Sequence, residues 1–180
     1  MENLSKIIIR QITVNEVDML SHTATRAYLD HFKYLWPDEG AWYVDHSFST
    51  DVLKTEMTDT NNLFFISFYG EEPVGFLKLK INLPTTHNIN DGGMELERIY
   101  ICKSATGKGI GKQFMQLAID IARQNRKAVI YLKAMDSSLD SIAFYQKSGF
   151  EIYGNYILDY PLLKKEYCGM VLMKMNVADK

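Results

Sequence analysis

The chain has 180 residues, 47% hydrophobic and 23% charged, with a formal net charge of -2. Length and composition suit one globular domain spanning 1–180 with a core of its own. The balanced charge offers no basic field for nucleic acid, and no run approaches the ~18 uncharged apolar residues of a membrane span, so neither partner is expected.

Lys6 to Val14 reads as a first strand, although Arg10 and Gln11 cut its apolar run too short for a signal-peptide core. Thr13 to Glu16 has the T-x-x-E form of a capping box and opens a helix carrying Val17, Leu20, Ala24, Ala27, Tyr28 and His31 on one side. Phe32 to Thr50 is aromatic and acidic without clear periodicity, and a short helix is expected near Thr50 to Thr58. Asn62 to Tyr69 is a strand by β-propensity, and Gly70-Glu71-Glu72-Pro73 turns it into a hairpin partner at Val74 to Ile81. Pro84 to Gly93 reads as a polar loop, followed by a strand from Met94 to Cys102.

A helix is expected from about Gly109 to Asn125, with Ile110, Phe114, Leu117, Ala118 and Ile121 as its apolar stripe. Ala128 to Lys133 is a strand. Asp136 or Ser137 caps the next helix, which stops at Gly149. Phe150 to Ile157 and Tyr167 to Met175 close the chain as strands around a loop with Pro161. This order describes an α/β sheet with helices on both faces. Cys102 and Cys168 make no disulfide framework, which fits a reduced, cytoplasmic protein. His22, His31, His46 and His87 match no metal-site spacing, so no metal is expected.

The turn Thr106-Gly107-Lys108-Gly109-Ile110-Gly111-Lys112 lies between a strand and a helix. Such a junction offers unpaired N–H groups and the positive end of a helix dipole to a pyrophosphate. A Walker A loop needs glycine where Thr106 stands and Ser or Thr where Gln113 stands. A Rossmann fingerprint begun at Gly107 needs glycine at Lys112, and one begun at Gly109 needs it at Phe114. Neither nucleotide loop fits.

Three stretches resemble the GNAT superfamily of acetyl-CoA-dependent N-acetyltransferases. They are Leu96 to Ile101, Thr106 to Gly111, and Ala143-Phe144-Tyr145-Gln146-Lys147-Ser148-Gly149-Phe150. The resemblance implies a GNAT-type α/β fold: one mixed, mostly antiparallel sheet of about seven strands, with about four helices on both faces. It implies acetyl-CoA as cosubstrate. The pyrophosphate would lie on the backbone from Gly107 through Lys108, Gly109, Ile110 and Gly111 to Lys112. Thr106 stands where the family usually has Arg or Gln. The strand residues Ile99, Tyr100 and Ile101 would face the pantetheine arm. Ser138 stands where the family often has Asn, and Lys147 is placed to reach a CoA phosphate. Tyr145 would be the general acid toward the CoA sulfur and Glu97 the base, with Glu95 the fallback. Cys102 has no expected nucleophilic role. Many relatives form homodimers.

An amine nucleophile must be neutral, and an alkylammonium with a pKa near ~10.4 is mostly protonated at pH 7. A base should therefore remove that proton, and a donor should meet the charge that develops at the thioester. Period-two alternation puts Glu95, Glu97 and Ile99 on one strand face and Leu96, Arg98 and Tyr100 on the other. The segment from Tyr28 to Phe48 holds Tyr28, Phe32, Tyr34, Trp36, Trp42, Tyr43 and Phe48 beside Asp30, Asp38, Glu39 and Asp45. Aromatic faces with carboxylates suit an organic cation. The likeness to bacterial polyamine acetyltransferases, through Leu96 to Ile101 and Ile142 to Phe150, points to a polyamine acceptor. A peptide N-terminus or a non-catalytic CoA-binding role are the alternatives.

Overall fold

The computed structural model describes residues 6–83 and 92–177. In chain order it contains β1 (Ile7–Gln11), α1 (Val17–Phe32), α2 (Ala41–Phe48), α3 (Thr50–Thr58), β2 (Asn62–Tyr69), β3 (Glu72–Lys80) and β4 (Gly93–Ile101). Then come α4 (Ile110–Gln124), β5 (Val129–Met135), α5 (Leu139–Lys147), β6 (Glu151–Ile157) and β7 (Gly169–Asn176). Most of the loop expected from Pro84 to Gly93 lies outside the described residues.

The strands form one sheet in the order β1-β2-β3-β4-β5-β7-β6. Every neighbouring pair is antiparallel except β4 and β5. That exception makes room for a site. β4 pairs with β5 only from Gly93 to Glu95, whereas β3 stays paired to β4 as far as Ile101. β7 likewise follows β5 to Met135. The two central strands therefore part after Glu95, and their facing edges are free to bond something else.

Each face of the sheet carries its own core. On one, Leu77, Leu79, Met94 and Leu96 pack against Ile110, Phe114, Ala118 and Ile121 of α4. This is the expected helix stripe, and burying each large side chain in it contributes roughly 1.5–3 kcal/mol. On the other, Phe64, Ile66 and Phe76 meet Leu20, Ala24 and Tyr28 of α1 with Phe48 and Leu53.

Three expectations need correction. The segment from Phe32 to Thr50, read as lacking clear periodicity, contains a helix, α2. Asp38 sets it: its carboxylate accepts from the Gly40 and Trp42 N–H groups at 3.1 and 2.7 Å. A side-chain cap of that kind starts a helix without any apolar period. The N-cap of α5 is Ser138, one residue later than expected.

The third correction concerns β4. Lys78 opposes Arg98 while Leu79 opposes Leu96, so Glu97 is an extra, bulged residue. Leu96 and Ile99 consequently share the α4 face, and Tyr100 lies on the α1 face with Arg98, whose guanidinium is 5.6 Å from the Phe48 ring centre. Strict alternation fails at this point because a bulge adds one residue and flips everything after it.

Candidate active site

The turn after β4 is held from α1. Asp30 accepts from the Lys103 N–H at 2.8 Å, and the His31 Nε2–H donates to the Ile101 carbonyl at 2.9 Å. Arg26 donates to the Pro73 carbonyl at 2.6 Å and lies 3.1 Å from Cys102 Sγ. Burial pushes the Cys102 thiol up, so it remains a neutral packing group rather than a thiolate.

Beyond it, Gly107 and Gly109 adopt φ of 76° and 87°, a region other residues enter at a cost. Among the described residues, no backbone acceptor meets the N–H groups from Gly107 to Lys112. Six successive amides at the start of α4 are thus open to an anion, where the helix dipole adds about half a positive charge. At Gly111 a Cβ would lie 3.3 Å from the Phe144 ring, so glycine lets α4 approach α5 closely. Thr106 turns back on its own loop, donating to the Lys103 carbonyl at 2.8 Å. Lys108 places its ammonium 4.5 Å from the Tyr69 ring centre.

Where β4 and β5 part, a cavity of roughly 300 Å³ opens. Its α5 side is lined by Ser138, Ser141 and Tyr145, and its α1 side by Tyr28, Phe32, Trp36, Tyr43 and Tyr160. Tyr145 packs edge-on to Phe150 with ring centres 5.9 Å apart. Burial alone raises its pKa above the ordinary tyrosine value of 10. Among the described residues its hydroxyl has no hydrogen-bond partner.

Glu97 lies at the cavity edge within a charge network. Its carboxylate is 2.7 Å from Lys78 Nζ, 3.1 Å from Lys80 Nζ and 3.7 Å from Arg98. Oε2 is itself buried, and at 2.7 Å Lys78 Nζ is within hydrogen-bond reach of it. Glu56 of α3 closes the network, with its oxygens 2.8 and 3.0 Å from Arg98 and 3.0 Å from Lys78. Desolvation would raise the Glu97 pKa, but Arg98, Lys78 and Lys80 outweigh it and hold the carboxyl below 4.5. Because the folded value is the lower one, Glu97 contributes stability that is full above pH 4.5 and is lost as pH falls through the folded value. Lys78 is 1% exposed. Replacing it with Met is expected to cost about 3–5 kcal/mol in urea unfolding at pH 7, because carboxylates are left with one buried cation fewer. Part of that loss should disappear at low pH, where those carboxylates are protonated.

The structure sorts the expected site residues. Glu95, Glu97, Ile99, Tyr100, Ser138 and Tyr145 line one cavity, and the turn from Thr106 to Lys112 forms a separate exposed cradle at the start of α4. Ile101 does not line the cavity, and its carbonyl is taken by His31. Lys147 is exposed in the last turn of α5 and does not line the cavity either. The expected acidic wall is absent from the described lining. Asp30 and Asp38 are occupied by backbone N–H groups, and neither Glu39 nor Asp45 reaches the cavity. Phe48 is buried in the core, and Tyr34 packs edge-on to Tyr167. Residues missed from sequence include Lys80 and Lys133. Lys78 and Lys80, alternating with Leu77 and Leu79, were the available signal.

A scan of protein families matches the acetyltransferase (GNAT) family over residues 21–150. The chain belongs to the acetyltransferase (GNAT) family. Among GNAT relatives, it is 26% identical over 121 residues to an uncharacterized N-acetyltransferase of Lactobacillus delbrueckii subsp. lactis. That match covers 67% of this chain and 70% of the relative. It is 27% identical over 88 residues to the spermine/spermidine N(1)-acetyltransferase of Bacillus subtilis, covering 48% of this chain and 58% of that protein. The GNAT fold recurs in the PaiA N-acetyltransferase of Thermoplasma acidophilum, solved in complex with coenzyme A. The TM-score is 0.75 at 20% identity, with 95% of this chain and 99% of that chain covered. The expected seven-stranded mixed sheet is the observed one.

Proposed function

We propose that this GNAT protein transfers an acetyl group from acetyl-CoA directly to the primary amine of a small molecule in the cytoplasm. The observation that carries this reading is the single cavity joining the parted edges of β4 and β5 to Tyr145 on one side and an aromatic wall on the other. The cradle fits a pyrophosphate through its open amides, independently of the Thr106 side chain. The free edge of β4 beyond Glu95 fits an extended amide-bearing arm. Coenzyme A in the Thermoplasma relative supports the donor.

In the reaction the amine nitrogen bonds to the thioester carbonyl carbon, the carbon–sulfur bond breaks, and the electron pair leaves on sulfur. Tyr145 meets that sulfur with its hydroxyl proton. The proton lost by nitrogen passes through water toward the Glu97 carboxylate, which lines the cavity. A carboxylate held below its ordinary range by Arg98, Lys78 and Lys80 is a weak base toward an alkylammonium near ~10.4. Glu97 therefore orients water and takes the proton only as the carbon–nitrogen bond forms. The surrounding cations help by disfavouring the ammonium form of the bound amine.

The modest cavity supports a small acceptor over a peptide. The likeness to the Bacillus subtilis spermine/spermidine enzyme puts polyamines among the acceptors to be tested. The test is release of free CoA from acetyl-CoA across a panel of amines, with products identified by mass. Amine-dependent CoA release is the expected result. Release no faster than hydrolysis with every amine would remove the catalytic reading.

A further inference from the structure

Among the described residues, the charged groups that line the cavity are Glu95, Glu97, Lys80, Arg98 and Lys133. Lys78 and Glu56 stand directly behind them. Each carboxylate already faces a cation. Glu95 lies 3.4 Å from Lys133, Glu97 lies 2.7 and 3.1 Å from Lys78 and Lys80, and Glu56 is forked onto Arg98. Four cations thus meet three carboxylates, leaving one positive charge in excess.

Such a wall suits a polycation poorly. Each ammonium of a bound polyamine would have to displace a lysine from its carboxylate, or sit beside the surplus charge in a site with little water. An anionic group gains where a polycation loses. Arg98 is fully engaged by Glu56 and its side chain is 11% exposed. Lys80 and Lys133 are different: their side chains are 35% and 45% exposed, and each makes a single ion pair. Lys80 ends β3 and Lys133 lies on β5, on either side of β4, with Lys133 also 5.5 Å from the Tyr156 ring centre. Beside them, Tyr28, Phe32 and Trp36 offer aromatic surface for an apolar body.

Resting on the acetyltransferase reading above, we infer that the acceptor is an amine carrying a carboxylate and an apolar or aromatic body, with the carboxylate read by Lys80 and Lys133. The acetylated nitrogen lies toward Glu97 and Tyr145. This choice also favours reaction, because the same positive excess that holds a carboxylate lowers the proton affinity of the amine next to it.

Matched amines separate this reading from its rivals. The wild-type enzyme is assayed for CoA release with tyrosine and tyramine, phenylalanine and phenethylamine, lysine and cadaverine, and with spermidine. Within at least one aromatic pair, the carboxylated member should have the higher kcat/KM by about 10–100-fold, the size expected of a lost charge-assisted contact. In Lys133→Met that ratio should collapse toward unity, because the carboxylated member loses the contact that distinguishes it. A general structural defect would lower both members alike and leave the ratio unchanged, which overturns the assignment. Equal rates within every pair, or preference for tyramine, cadaverine or spermidine, also overturn it while leaving acetyl transfer intact. Failure of every amine removes the catalytic reading itself.

Discussion

Replacing Tyr145 with Phe is expected to lower kcat by about 10²–10⁴-fold while acetyl-CoA affinity stays within about threefold. The change removes one oxygen. The ring keeps its packing against Phe144 and Phe150, so fold and donor binding should survive. No hydrogen bond within the described protein is lost, because the hydroxyl has no partner there. The hydroxyl is not among the buried, unpartnered polar atoms of the described residues, and Tyr145 lines the cavity. A group that serves only packing would be better as phenylalanine, and Tyr145→Phe would then be neutral or stabilising. Steady-state kinetics with the best amine of the panel, with thermal unfolding alongside, decide between the two. A fall in kcat of under about tenfold would remove the acid role.

The protonation state of Tyr145 sharpens this test. Its pKa is raised by burial, with no cation nearby to lower it. The group therefore keeps its proton at every pH below the ordinary tyrosine value of 10, and loses it only above that. The wild-type profile of kcat against pH should show no alkaline decline at or below pH 10. A raised pKa also makes full transfer to a thiolate uphill, since an unperturbed thiol is near ~8.5. In the proposed reaction Tyr145 would thus act chiefly by hydrogen-bonding to sulfur as charge develops, with the proton moving late.

The parts of the site legible in sequence are those built from contiguous residues. A pyrophosphate cradle needs consecutive amides, so its glycines fall within one short run, Gly107 to Gly111. The helix behind it declares itself through Ile110, Phe114, Ala118 and Ile121, because one buried stripe repeats every turn. Tyr145, proposed as the acid, stands in a comparably short run, Ala143 to Phe150, that carries the family resemblance. The charge wall was not legible. Glu56 reaches Arg98 from 42 residues away, and nothing local distinguishes it from a solvated helix glutamate. The bulge at Glu97 hides in a strand whose apolar residues at 94, 96, 99 and 101 are interleaved with Tyr100. Once it is seen, the acceptor argument turns over. Aspartates 30 and 38, read from sequence as a cation site, are spent on holding a turn and starting a helix. The charges that do face the cavity are mostly positive.

Gly109→Val is expected to weaken acetyl-CoA binding by about 10²–10⁴-fold, the loss of about two charge-assisted hydrogen bonds. Gly109 sits at φ 87°, and a Cβ there would meet no heavy atom of the fold within 4 Å. The valine therefore creates no internal clash. It strains the backbone by about 1–2 kcal/mol or more and places methyl groups at the turn, beside the amides that face outward. Strain alone could also act through stability, so a matched substitution is required. Gly92 has φ 128° and equally open surroundings, but it precedes β4, at the opposite end of the strand from the cradle. Gly92→Val should lower the melting temperature without changing affinity for acetyl-CoA by more than about twofold, because its amide contacts no proposed ligand. Calorimetric titration of both variants with acetyl-CoA, and with CoA lacking the acetyl group, makes the comparison. If both bind as weakly as each other, strain is responsible. If Gly109→Val binds as tightly as wild type with its fold intact, the open amides at the start of α4 are not where the donor is held. A loss confined to Gly109→Val, and equal for CoA and acetyl-CoA, points to the phosphates that the two share; if the loss persists with CoA lacking its 3′-phosphate, the pyrophosphate is the group held at the start of α4.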